Sequence, residues 1–352
     1  MNPRIVSASF IGLFSFASLL PAAEDIDILF LGNSFTNRHD VPDLVEAILE
    51  DGDPDTNINV SRVIYGGQNM FKHSTYYFSQ SFLEQSTITN EEIEARIATM
   101  KGFLESDAAP NGEEWDTHWA SVGKKNVPFA GIHGHISKAI RNHETLLTEN
   151  PKTKWDYVVL QSWRDVSVEP NQAYEKYATK LAEIAKAQGT EVILYMTSPE
   201  TQNQDPVTEP LNPESAERDV AVGLRLVEAL KPKAVIPVPL AIKNIQAAGP
   251  DSGGADLSDE EKPGTDLVFR YQNDGHPNQT CAYLVANLFY AAFNDKSPEG
   301  LDFSTVTENK VKNGKDPDGG EPTVVFEGET KAYLQRMAHE AVQEFQALAK
   351  AE

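Results

Sequence analysis

The 352-residue chain has a single cysteine, Cys281, so no disulfide can form within it. Its stability must come from a packed core, which that length readily supplies. Cys281 falls in the apolar run Thr280–Phe293, where the expected role is a small buried hydrophobe rather than a reactive thiol. Basic residues are scarce too: 30 Lys and Arg stand against 53 Asp and Glu, a net charge of −23. That balance argues against a nucleic-acid partner and against binding to anionic membranes. It also disfavours strongly anionic polymers as substrates, unless a local positive patch offsets it. Long apolar runs are missing beyond the amino terminus. The run at Ile5–Leu20 is short for a bilayer span and carries several serines. With Arg4 before it and Pro21-Ala22-Ala23 after it, residues 1–23 read as a cleaved secretory signal. No cysteine stands at its exit for a lipid anchor. The expectation is an exported protein, periplasmic or extracellular, with no membrane insertion after cleavage and one domain over 24–352.

What is present is an alternation of strands and helices. Ile26–Leu31 is apolar except for Asp27, too continuous for a strand with one wet face, so it reads as buried on both faces of a parallel sheet. Pro42 opens a helix running to Glu50, and a second strand, Ile58–Tyr65, ends at Gly66-Gly67. Strands are also expected at Trp155–Gln161, Glu191–Met196 and Ala234–Val238, and helices at Tyr174–Ala187 and Glu214–Leu230. This pattern predicts an α/β fold, a three-layer α/β/α sandwich around a central parallel sheet. Residues 78–150 or so read as an insertion after the second strand, with helices at Glu91–Phe103 and Ile132–Leu147 and an unplaced stretch from Trp115 to Trp119. Gly249–Gly264 reads as a mobile loop, Lys310–Glu321 as a flexible connection, and Cys281–Phe293 and Lys331–Ala349 as closing helices, the last within a carboxyl-terminal extension over about 322–352.

Open α/β sheets place ligands at the carboxyl ends of their strands, and there this chain carries its chemistry. Ser34 follows the first strand, Gly67 the second and Gln161 the third, while Asp274-Gly275-His276-Pro277 precedes a late helix. A serine hydroxyl needs a base within hydrogen-bond reach, and the base needs an orienting carboxylate. His276 and Asp274 supply both from one loop. The Ser34 and Gly67 N–H groups and the Gln161 amide are candidate donors to a developing oxyanion.

Gly32-Asn33-Ser34-Phe35, Gly66-Gly67, Trp155–Gln161 and Asp274–Pro277 with Tyr283-Leu284 after them occur in one order across residues 25–295. In that order they resemble the SGNH, or GDSL-like, hydrolases, in the branch with GNSF, WDYVxLQ and DGHP motifs. The resemblance implies a flavodoxin-like fold and serine esterase activity, often on O-acetyl groups of carbohydrates. Two departures stand out. The family's amide is usually an asparagine in a Gly-x-Asn-Asp motif, where this chain has Gln161. Its acid usually stands three residues before the histidine, where this chain has Asn273, with Asp274 two before. A Ser–His–Asp triad and a Ser–His dyad are therefore both open.

Asn69, His73, Trp163 and Arg164 are further candidates for substrate contacts, the last two as a ring and a cation at the rim after Gln161. His133-Gly134-His135 has no fixed acidic partner, so no metal is expected, and no cofactor. The expected partner is an ester of a small molecule or carbohydrate; oligomeric state is undetermined. Two other classes fit the same fold: a glycan-binding protein without turnover, and a phosphate or flavin binder using the Gly-Asn-Ser-Phe-Thr turn as an anion cradle.

Overall fold

The computed structural model describes residues 24–121, 123–149, 152–162, 173–197, 212–247 and 267–351. Strands β1 (Glu24–Gly32), β2 (Thr56–Ile64), β3 (Tyr157–Ser162), β4 (Glu191–Met196) and β5 (Ala234–Pro237) form one sheet in the order β2-β1-β3-β4-β5. Every pairing is parallel. This is the flavodoxin-like order, whose direction of winding reverses between β1 and β3. A crevice opens at that reversal, and Ser34 and Gln161 sit at the two strand ends beside it.

The helices are α1 (Ser34–Asn37), α2 (Val41–Gly52), α3 (Met70–Thr75), α4 (Gln80–Leu83), α5 (Asn90–Leu104), α6 (Gly112–Ser121), α7 (His133–Glu149), α8 (Ala173–Ala187), α9 (Pro213–Leu230), α10 (Val238–Ala247), α11 (Gln279–Asn294) and α12 (Gly328–Ala351). Helices α2, α11 and α12 pack together over one face of the sheet, and α8 and α9 lie over the other. The apolar continuity of β1 follows from this double cover. Phe30 meets the Phe289 ring of α11 at 5.9 Å, whereas the neighbouring Leu29 faces a groove shared with Leu146 of α7. Leu29, Phe30 and Leu31 are buried, as is Cys281, whose thiol burial pushes up to about 12.

The region after β2 is compact rather than irregular. The stretch from Trp115 to Trp119 is helical, within α6, and the Trp115 ring meets Tyr76, Phe129 and Trp119 edge-on. The carboxyl-terminal helix starts earlier than expected, at Gly328, and packs on α10 and α11. The expectation of a flexible connection at Lys310–Glu321 is corrected. Two short antiparallel strands, β6 (Thr305–Thr307) and β7 (Thr323–Val325), enclose it as a hairpin. Asp316 ties its tip by accepting the N–H groups of Asp318 and Gly320, and Lys312 bridges to Lys315. Periodicity misses strands of three residues because one alternation is too little signal. The Gly249–Gly264 stretch and residues 1–23 lie outside the described residues. Among the described residues no helix is long and apolar enough to cross a membrane.

Candidate active site

Gly32 ends β1 where the chain must turn at once. A Cβ there would sit 2.4 Å from Thr36 Oγ1 and 2.7 Å from Gln161 Oε1, so only glycine fits. Asn33, buried, then caps the short helix α1. Its Oδ1 accepts the Phe35 N–H at 3.0 Å, and its Nδ2 donates to the Gln68 carbonyl at 3.0 Å, joining the Ser34 turn to the Gly66-Gly67 loop. Ser34, half-buried, is the first residue of α1 and lines an open basin of ≈ 750 Å³. Asn37, Gly67, His276, Asn309 and Lys310 line the same basin.

His276 and Asp274 arrive from across the chain. His276 Nε2 lies 2.9 Å from Ser34 Oγ, and its Nδ1 lies 2.7 Å from Asp274 Oδ1. A carboxylate only accepts, so Nδ1 carries the proton and Nε2 is free to take one from the serine hydroxyl. Gly275 makes the two-residue spacing workable. At φ +70° it closes a tight turn in which its N–H donates to Tyr271 O at 3.0 Å and the Tyr271 N–H to His276 O at 2.9 Å. The Phe35 ring, 5.3 Å from the imidazole, packs against it. Asn273 takes no part in the ring's hydrogen bonds; its N–H donates to Asp318 Oδ1 at 2.9 Å.

Two backbone donors belong to residues of the same basin. The Ser34 and Gly67 N–H groups donate no hydrogen bond among the described residues, and both residues line the basin. Gly67 has φ +65°, a conformation that glycine takes at little cost.

Gln161, expected as a third donor, is placed otherwise. It is fully buried beneath the turn, where its Oε1 accepts the Asn33 N–H at 2.9 Å and the Thr36 hydroxyl at 3.0 Å. Its Nε2 donates to Thr197 Oγ1 at 3.1 Å. The amide braces the turn from below. His73 and Asn69 are corrected in the same way. His73 Nε2 donates to the Gly32 carbonyl at 3.0 Å and Nδ1 accepts from Ser79 Oγ at 2.8 Å, and burial lowers the imidazole to about 3. Asn69 caps α3 by accepting the Lys72 N–H and lies 3.0 Å from His118 Nε2. Trp163 and Arg164 lie outside the described residues. His133 and His135 open α7, with the His135 ring near Tyr65 and Tyr77.

The surroundings of Asp274 have little signal in the sequence. The Arg38 guanidinium lies 2.5 Å from Asp274 Oδ2 through one terminal nitrogen, and Nε and the other nitrogen grip Glu308 at 2.5–3.2 Å. The Arg38 and Glu308 side chains are 4% and 0% exposed, so this is an ion cluster of the interior. Burial opposes the charge on both carboxyls, but Arg38 outweighs it and holds each below its usual range, with His276 assisting at Asp274. His39, beside Arg38, donates from Nε2 to the Pro277 carbonyl at 2.9 Å, and burial lowers its imidazole. Position next to the Ser34 turn is the only sequence signal for Arg38; Glu308, just after the short strand β6, has none.

No family model matches the chain, and no curated protein matches it. Among solved structures it aligns with a protein of Slackia heliotrinireducens whose description reads "a putative SGNH hydrolase". The identity is 17% and the TM-score 0.39, over 77% of this chain and 100% of that one. A likeness so loose carries no function, and the residues themselves have to.

Proposed function

We propose that the protein is a serine hydrolase of the SGNH type that cleaves carboxylic esters. The observation that carries this is the unbroken relay Ser34 Oγ, His276, Asp274, at 2.9 and 2.7 Å beside an open basin. His276 Nε2 takes the hydroxyl proton as Ser34 Oγ bonds to the ester carbonyl carbon. Asp274 stabilises the resulting imidazolium, and the Ser34 and Gly67 N–H groups receive the oxyanion. Collapse breaks the bond to the alcohol, which leaves with the proton from His276. Water, deprotonated by the same histidine, then releases the acid from Ser34.

O-acyl groups on carbohydrates are the proposed substrates. The motif resemblance suggests them, and a basin walled by Asn37, Asn309 and Lys310 suits a hydroxyl-rich alcohol better than a lipid chain. Export follows from the character of residues 1–23.

Turnover of p-nitrophenyl acetate and labelling by a fluorophosphonate test the reading together. The protein should hydrolyse the ester and be labelled at Ser34, and Ser34→Ala should lose both while remaining folded. Full turnover by Ser34→Ala would sink the serine mechanism. A glycan-binding protein without turnover would leave both probes untouched, and a flavin binder would show itself in the visible spectrum.

A further inference from the structure

The geometry points to Arg38 as the positioning residue of the catalytic acid, with Glu308 as the counter-charge that lets Asp274 remain effective; this rests on the serine hydrolase reading above. A carboxylate two residues from its histidine across a left-handed glycine has freedom to rotate away from the ring. Asp274 has one oxygen on His276 Nδ1 and the other on Arg38 at 2.5 Å, so its plane is fixed from both ends. Arg38 is itself fixed, because its remaining edge forks onto Glu308.

The charges explain why both partners are needed. Arg38 alone would neutralise Asp274 and weaken its hold on the imidazolium formed during attack. Glu308 restores one net negative charge to the trio. Lys310 also approaches Asp274 Oδ2, at 3.6 Å, but it is 67% exposed and screened by water. His39 faces Glu308 at 3.6 Å and is held toward its neutral form by burial. A second tie runs from the same hairpin: Asp318 accepts the N–H groups of Gln272 and Asn273, both at 2.9 Å. The loop carrying the acid and the base is thus moored to residues 305–325 by side chain and by backbone.

The test is a double-mutant cycle on kcat and KM for p-nitrophenyl acetate. Arg38→Met should lower kcat by about 10²-fold, the scale of a misplaced catalytic group, with KM within about twofold. In an Asp274→Asn background the same change should cost less than about threefold, because the group it positions is gone. Arg38→Lys, which cannot fork between two carboxylates, should recover only part of kcat. Because Arg38→Met leaves Glu308 buried and unpaired, Arg38→Met with Glu308→Gln is run beside it as the folded comparison, with thermal melts for each. Unchanged kcat, or an equal loss in both backgrounds, would overturn the assignment; the second would mean that Arg38 touches the substrate or merely holds the fold. If instead Ser34→Ala retains turnover, the failure belongs to the serine mechanism and not to Arg38.

Discussion

The side chains nearest the Ser34 turn divide into those that react and those that hold the turn still, and residue type alone does not say which. Gln161 has the chemistry of an oxyanion donor, yet its oxygen is what the structure uses, satisfying the buried Asn33 N–H and the Thr36 hydroxyl. Gln161→Leu, close in volume, should therefore act first on stability. Leaving the Asn33 N–H without a partner should cost about 1–3 kcal/mol in urea unfolding, and kcat should fall only as Ser34 loses its support. A loss of about 10²–10³ in kcat at full stability is the signature of an oxyanion donor and would return Gln161 to that role. Ser34, Asp274 and His276 were legible because each combines a reactive group with a strand-end or turn setting. His73 and Asn69 stood equally close in sequence, but burial decides their role, and burial depends on the insertion that closes over them. Arg38 carried no such signal, since its two carboxylate partners lie more than two hundred residues away.

At the scale of elements, the site depends on a strand, a four-residue helix and the turn that follows. Two consecutive residues of that turn, His39 at φ 57° and Asp40 at φ 51°, are left-handed without being glycine. Such residues store about 1–3 kcal/mol of strain each and persist where surrounding contacts hold them. His39 is held by Pro277 and the Glu308 side, while Asp40 has only a partly exposed pair with Arg62, worth little. Asp40→Gly should therefore be neutral or stabilising by up to about 1 kcal/mol, read as an unchanged or raised urea midpoint. Gly32→Ala should behave oppositely. Its Cβ would press on Thr36 and Gln161 at 2.4 and 2.7 Å, and overpacking of that kind costs about 1–3 kcal/mol while displacing Ser34, so kcat and stability should fall together. A Gly32→Ala protein with normal melting and turnover would show that the turn adjusts freely. The long elements were legible because β1 and α2 repeat their patterns over many residues. The β6–β7 hairpin was not, since three-residue strands offer too short a pattern, and it is this hairpin that moors Asp274.

For the whole molecule, the consequence of burying so many polar rings under the insertion is sensitivity to acid. His73 and His118 are lowered to about 3 and His143 to about 4, in each case by burial first. Each is neutral inside the fold but takes a proton near pH 6.5 once unfolded. The sign follows directly: the unfolded chain binds more protons, so stability is fully present above about pH 6.5 and declines as pH falls toward the folded values. Each histidine contributes a slope approaching 1.4 kcal/mol per pH unit. The carboxyls of Asp274 and Glu308, held down by Arg38 against burial, act in a separate window below the ordinary carboxylate range. Asp27 and Glu46, half-buried and raised by burial and by neighbouring acids, oppose the trend. Urea unfolding between pH 7 and pH 5 should therefore show a steep loss of stability before any carboxyl cluster titrates. His143→Gln should lower the starting stability, because the hydrogen bonds of the ring to Ser81 and the Ala139 carbonyl are lost or altered. The same change should also flatten the slope by roughly 1 kcal/mol per pH unit. The two effects are separable in one series of melts, because the first moves the curve at pH 7 and the second changes only its tilt. Equal slopes for the parent and for His143→Gln would mean that the ring is already protonated in the folded chain, with the insertion open to water around it.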